Sequence, residues 1–216
     1  VNTPSEIGIC DTLTGEKQLI SHANDVFVAS HPKLELKPIH YRSNDGTEIK
    51  SFLLLPPEGY YNRPYPTVTY YHGGPMAGMG FIYYFECQML ANAGYAVFYS
   101  NYRGSSGFGD PFAQSIYDGK SGVQELADTL AGLDLCIQMG LIDDENMGCC
   151  GISYGGFMTC WSICHTNRFK VAVSENPVTN QMTMMTLSDY LWYALDEYNG
   201  KQIHEVYEKM LKASPV

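Results

Sequence analysis

Ten residues, Gly148-Cys149-Cys150-Gly151-Ile152-Ser153-Tyr154-Gly155-Gly156-Phe157, limit the folds open to this chain more than any others do. They read as an apolar strand end that passes through a G-x-S-x-G turn into a helix. Glycines at 151 and 155 are small enough for strand and helix to meet at a tight angle, which leaves the Ser153 hydroxyl on a strained turn at the carboxyl edge of a sheet. The unpaired N–H groups and the positive dipole end of the following helix then favour an anion beside that hydroxyl. Two readings fit these residues: a nucleophile elbow, or a Gly-rich helix entrance with a capping serine. The pattern elsewhere in the chain separates them.

On the N-terminal side, Ile7–Cys10 and Lys17–Ile20 flank Thr14-Gly15 and predict short strands around a tight turn, too small to be stable alone. Ile39–Arg42 and Glu48–Leu55 flank Asn44-Asp45-Gly46 and predict a β-hairpin stopped by Pro56-Pro57. Thr67–Tyr71 is β-branched and aromatic and feeds His72-Gly73-Gly74-Pro75, a strand followed by a Gly-rich loop. A helix over Tyr84–Ala93 stopped by Gly94, then an apolar strand over Tyr95–Ser100, implies a parallel crossover. Gly122 to Gly140 predicts an amphipathic helix with Val123, Leu126, Leu130, Leu133 and Ile137 on its buried side. Met147–Cys150, Tyr154–His165 and Phe169–Val173 continue the alternation as strand, helix and strand, and from Gln181 onward the pattern is helical with a break near Asn199-Gly200. The expected architecture is α/β: a mostly parallel sheet with helices on both faces, preceded by a short β segment.

Composition narrows the partners. A chain of 216 residues that is 45% hydrophobic can bury one sizeable core. Its net charge of −10, without a basic stripe, argues against nucleic acid or an anionic membrane. Seven cysteines, an odd number including the adjacent pair Cys149-Cys150, read as reduced thiols rather than a disulfide framework. With no glycosylation sequon, signal segment or membrane-spanning apolar run, the expected location is the cytoplasm. The chain starts at Val1 instead of Met, so an upstream part is expected. Oligomeric state is left open.

Strand-then-loop order decides between the two readings of the turn. An oxyanion hole in this architecture takes one backbone N–H from the residue after the nucleophile, here Tyr154, and one from a loop after an earlier strand, which His72-Gly73-Gly74-Pro75 is placed to supply through Gly74. Together these make Ser153 the expected nucleophile. Hydrolases of this kind keep the order nucleophile, acid, base, and Ser153, Glu175 and His204 satisfy it, although His204 falls in a helical, peripheral segment. Tyr71 and Tyr154 border the serine and are expected to shape the substrate site. Arg103, on the loop after a central strand, reads as substrate contact or as a brace between loops, with bracing favoured. Cys160, Cys164 and His165 share one helix without a second cluster to complete a tetrahedral set, so they read as packing and no metal site is expected. Asp143-Asp144-Glu145 reads as a solvated loop ahead of a strand.

Tyr71-His72-Gly73-Gly74-Pro75, Asn101–Gly109 and Gly151–Thr159, in that order, resemble the prolyl oligopeptidase family of serine peptidases. Asn176-Pro177-Val178-Thr179-Asn180 and Lys212-Ala213-Ser214-Pro215 are most similar to its acylaminoacyl peptidase and dipeptidyl-peptidase-like branch. The resemblance covers about residues 35 to 216, and Asp11–Phe27 is similar to the last strands of that family's β-propeller. It implies that residues 1–34 form the end of a propeller with a linker, and residues 35–216 the N-terminal part of a catalytic domain with a partial α/β-hydrolase fold. It further implies a cofactor-free serine peptidase acting on short peptides, with the family's acid and histidine lying beyond Val216. The chain as given is then expected to lack its acid and base and to be inactive alone. A carboxylesterase with the same machinery and a non-catalytic binding fragment are the alternatives.

Overall fold

A computed structural model describes residues 2–215; Val1 and Val216, the outer ends of the two expected domains, lie outside the described residues. In chain order the elements are β1 (Gly8–Cys10), β2 (Lys17–Leu19), α1 (Asp25–Ser30), β3 (Leu36–Arg42), β4 (Glu48–Leu54), β5 (Tyr65–Tyr71), α2 (Phe85–Asn92), β6 (Ala96–Asn101), α3 (Asp110–Ala113), α4 (Val123–Gln138), β7 (Ile142–Ile152), α5 (Tyr154–His165), β8 (Val171–Glu175), α6 (Gln181–Leu187), α7 (Leu191–Glu197) and α8 (Ile203–Lys212). β1 and β2 form a separate antiparallel hairpin, with Asp11 Oδ1 accepting from the Leu13 and Thr14 N–H groups in its turn. The other six strands make one sheet in the order β3-β4-β6-β5-β7-β8. The β3–β4 hairpin and the β4–β6 pair are antiparallel, and β6-β5-β7-β8 are parallel.

Alternation along the central strands explains the two layers. On β6, Val97 and Tyr99 point to one face and pack with Leu54, Tyr70 and the α2 residues Cys87 and Ala91. Ala96 and Phe98 point to the other, where they join α4 and α5 through Leu126, Leu133, Phe157, Met158 and Trp161. A strand buried on both faces is apolar along its middle, which is why Ala96–Tyr99 reads as an apolar run, and the buried Ser100 and Asn101 at its end are hydrogen-bonded to Ser51 and to the Met79 backbone. The third cluster, around Met185, Tyr198, Val206 and Met210, holds α6, α7 and α8 to one another. At the far edge β8 is exposed, with Val171 67% and Val173 58% accessible.

Three expectations change. Val123 is 59% exposed, and the buried stripe of α4 contains Glu125, Asp128, Thr129, Gly132 and Cys136 beside Leu126 and Leu133. The apolar pattern missed it because two carboxylates on that face find partners inside the protein, Asp128 in the Arg103 guanidinium and Glu125 in the Tyr154 hydroxyl and the Gly122 N–H. Asp143-Asp144-Glu145 belongs to β7 instead of preceding it: Tyr65 pairs with Ile142 and Thr67 with Met147, so the acidic residues bulge between two registered stretches, and Arg168 holds Asp144 at 2.7 Å. α1, α3 and a 3₁₀ turn at Gln114–Ile116 were not anticipated, being too short to show a helical period.

Candidate active site

β7 ends at Ile152 and α5 starts at Tyr154, so the chain must reverse direction at Ser153, which sits at φ +59°, ψ −118°. A non-glycine residue held there stores on the order of 1–3 kcal/mol and persists only where its surroundings fix it. Here the Ser153 N–H donates to the Glu175 carbonyl at 3.0 Å, and the Ser153 carbonyl accepts from the Phe157 N–H at 3.0 Å. The tight angle explains the glycines. A Cβ on Gly155 would fall 2.1 Å from the Tyr71 carbonyl oxygen, and one on Gly151 2.5 Å from the same atom. The Ser153 side chain is left exposed at the carboxyl edge of the sheet.

The loop after β5 reaches the elbow. A Cβ on Gly73 would lie 3.6 Å from Ser153 Cβ, and Gly74, at φ +122°, lines the same cavity as Ser153. Tyr154 is the first residue of α5, whose N–H has no partner within the helix. Ser153, Gly74 and Tyr154 therefore line one cavity, to which the loop after β5 and the start of α5 both contribute.

His72 and its neighbours hold that loop. The imidazole is buried and stacked on Tyr102 at 4.4 Å; Nδ1–H donates to the Gly73 carbonyl at 2.8 Å, and Nε2 lies 2.9 Å from Ser105 Oγ. Burial pushes its pKa down to about 4, so the ring is neutral at pH 7. Tyr102 OH donates to the His72 carbonyl at 2.7 Å. Arg103 also serves as a brace: Nη2 donates to Asp128 Oδ1 at 2.7 Å and Nε to Oδ2 at 3.0 Å, while Nη1 meets Asp45 of the β3–β4 turn. One guanidinium thus ties three elements together.

Tyr71 is corrected. It directly precedes the Gly-rich loop in sequence, yet its side chain is fully buried on the opposite side, with OH 2.8 Å from Ser162 Oγ, because alternation along β5 turns it into the α5 layer. Tyr154 does line the cavity, and its hydroxyl donates to Glu125 Oε1 at 2.6 Å. Sequence reasoning missed Glu125. It has no exposure, burial pushes its pKa up to about 7, and it also accepts from the Gly122 N–H at 2.9 Å. The spacing Gly122-x-x-Glu125 at a helix start was the signal available.

The cavity in front of Ser153 measures about 420 Å³. Beyond Gly74 and Tyr154 its walls come from Val178, Gln181 and Met184, and from Tyr190, Tyr193 and Glu197 on and before α7. Glu175 supplies its backbone carbonyl to the elbow, as described. His204 is not brought there: it is exposed on α8 and borders a separate depression with Gln202, Ile203 and Tyr207. His165 stacks on Trp161 at 4.0 Å, and His22, His31 and His40 are exposed elsewhere. No histidine among the described residues hydrogen-bonds Ser153. Cys160 packs against Ser174, with Sγ 3.3 Å from Oγ, whereas Cys164 is exposed, so Cys160 and His165, but not Cys164, match the expected packing role.

Comparison with known proteins adds the following. Residues 81–216 match the profile of the prolyl oligopeptidase family. An uncharacterized peptidase, YuxL, of Bacillus subtilis (strain 168) is 36% identical over 214 residues, covering 99% of this chain and 32% of the relative. Acylamino-acid-releasing enzyme 2 of Oryza sativa subsp. japonica is 40% identical over 125 residues, 57% of this chain and 16% of that protein. Among solved structures, an acylaminoacyl peptidase in complex with Z-Gly-Gly-Phe-chloromethyl ketone superposes with a TM-score of 0.88 at 29% identity, covering 99% of this chain and 34% of the other. The chain spans about a third or less of the length of these relatives.

Proposed function

The chain belongs to the prolyl oligopeptidase family, and from that premise we propose that it carries the nucleophile and oxyanion hole of a serine peptidase acting on short peptides, with Ser153 as nucleophile. The convergence of Ser153, Gly74 and Tyr154 on one cavity carries the reading. In the proposed reaction a base takes the Ser153 proton, Oγ attacks the scissile carbonyl carbon, and the oxyanion is held by the Gly74 and Tyr154 N–H groups. Collapse of the tetrahedral intermediate releases the amine and leaves an acyl ester on Ser153, which water cleaves. Val178, Met184 and Tyr190 offer an apolar wall to the side chain beside the scissile bond. The acylamino-acid-releasing and acylaminoacyl peptidase relatives favour cleavage after an N-terminal residue. Residues 1–34, with the β1–β2 hairpin, are read as the end of a propeller that screens this site. The unpaired cysteines support a cytoplasmic setting.

None of the histidines described here hydrogen-bonds Ser153, so the 216-residue chain by itself is expected to hydrolyse no aminoacyl amide above a Ser153→Ala control. The natural protein that carries these residues is expected to cleave N-acyl and free aminoacyl amides in preference to simple acyl esters. Better turnover of simple esters would replace the peptidase by an esterase, and turnover by the 216 residues lost on His204→Ala would establish the compact triad instead.

Gly74 gives a sharper test of the oxyanion hole. A Cβ at this position would lie 2.7 Å from the Met76 nitrogen and 2.9 Å from the Ala77 nitrogen. Gly74→Val must therefore move the loop and its N–H. The expected result in the natural protein is a fall in kcat of about 10²- to 10³-fold, as for loss of one donor, with Ser153 still labelled by a fluorophosphonate. Turnover near normal would remove the loop from the mechanism.

A further inference from the structure

Between β5 and α2 the chain runs from His72 to Tyr84 without a helix or strand, so the position of Gly74 depends on what holds this loop from outside. One side chain grips it at both backbone groups of a single residue. Asn101, the last residue of β6, is 3% exposed; its Oδ1 accepts from the Met79 N–H at 2.7 Å and its Nδ2 donates to the Met79 carbonyl at 2.9 Å. The residues that follow Asn101 reach the loop as well. The Ser106 N–H donates to the Ala77 carbonyl at 2.9 Å, Tyr102 OH donates to the His72 carbonyl, and Ser105 Oγ meets the His72 ring. Gly74 therefore sits on an arch with one foot at His72 and the other at Ala77 and Met79, both resting on residues 101–106.

A carboxamide suits this place because it carries an acceptor and two donors in one plane, whereas a carboxylate of the same shape accepts and cannot donate. The backbone of Asn101 is itself fixed, paired with Lys50 in the β4–β6 ladder, and a support built on a strand is firmer than one built on a loop. Met79 is buried, so without Asn101 its N–H and carbonyl lose their partner inside the protein, and the arch must shift to regain one. Loop and support are also in contact at Gly78, where a Cβ would lie 3.4 Å from the Ser106 carbonyl oxygen and 3.6 Å from Asn101 Oδ1. Asn101 is not among the described residues that line the cavity in front of Ser153. We propose that Asn101 is a positioning residue for the reaction at Ser153: by clamping Met79 at both backbone groups it fixes the arch, and with it the Gly74 N–H, where the oxyanion forms. The assignment rests on Gly74 being an oxyanion donor.

The test is a double-mutant cycle in the natural protein, with Asn101→Ser and Gly74→Val made alone and together. Turnover of one aminoacyl 4-nitroanilide is expressed per fluorophosphonate-titrated site, so that misfolded molecules do not count. Asn101→Ser is expected to lower kcat about 10- to 100-fold, since a displacement of about 1 Å in a reacting geometry costs about 10²-fold. KM should stay within about threefold, because no contact with the bound substrate is lost. In the Gly74→Val background the same substitution should cost less than about threefold, because the N–H that it positions has already moved. Asn101→Asp keeps the shape and the bond from the Met79 N–H and loses only the bond to the Met79 carbonyl, so it runs the same cycle if the serine variant does not fold. A purely structural role would lower the titrated fraction and the urea midpoint and leave the rate per titrated site unchanged. That result overturns the assignment, and so do losses that multiply across the cycle or a loss carried in KM. Normal turnover in Gly74→Val sinks the oxyanion reading itself and the role of Asn101 with it, whereas an impaired Gly74→Val beside a normal Asn101 variant sinks the role of Asn101 alone.

Discussion

Ser153→Ala in the natural protein is expected to abolish fluorophosphonate labelling and to lower kcat on the order of 10⁶-fold, the loss seen when a hydrolase of this kind loses its nucleophile. The expectation follows from the position of the hydroxyl more than from its chemistry. Ser153 is an ordinary alcohol held at φ +59° by the Glu175 carbonyl and the start of α5, exposed in the cavity that Gly74 and Tyr154 also line. Ser105 and Ser121, which neighbour the site, are buried in hydrogen bonds to Tyr102, His72 and Glu197. Alanine at either of those should leave labelling in place. A labelled peptide that maps to another serine, or labelling retained in Ser153→Ala, would remove Ser153 from the mechanism.

Asp128→Ala is expected to cost about 3–5 kcal/mol of stability, the usual penalty for stranding a buried charge, out of a total of about 5–15 kcal/mol for a folded domain. Asp128 is wholly buried and accepts from the Arg103 backbone N–H and from two positions of its guanidinium, whose side chain is 8% exposed. Removing the carboxylate leaves that cation inside the protein. Asp45 holds the same guanidinium from a half-exposed turn, so Asp45→Ala should cost only about 0–1 kcal/mol. Urea midpoints of the natural protein, followed through tryptophan fluorescence, compare the two. Equal losses would mean that the ion pair does not hold the loop after β6 in place. Replacing both partners together by Asp128→Leu and Arg103→Met should recover much of the loss, because no charge is then left without a partner.

Most of the sheet was legible because its elements carry local signals. Asp45-Gly46 marks the β3–β4 turn, the β-branched and aromatic runs mark β5 and β6, and Gly94 stops α2. The break at Asn199-Gly200 separates α7 from α8 because Asn199 and Gly200 both take positive φ. Where the sequence misled, a distant partner had changed the meaning of a residue. Glu125 and Asp128 look solvated in a helix pattern, and only Tyr154, Gly122 and Arg103, brought from 3 to 29 positions away, make their burial possible. Tyr71 looks like a substrate contact by adjacency to the loop, and the pleat of β5 sends it the other way.

What the sequence determined by itself was the elbow and the Gly-rich loop after β5, since glycines at 151, 155 and 74 are demanded by close backbone approach and positive φ, constraints that act over a few residues and are written in them. The tertiary structure alone decided the lining of the cavity. Val178 and Met184 from the segment after β8, Tyr193 and Glu197 from α7, and Gly74 from the loop after β5 meet there only because the sheet order places β5 beside β7 and the third cluster packs α6 against α7. Contacts that join residues about 120 positions apart depend on chain topology, and no local spacing encodes them.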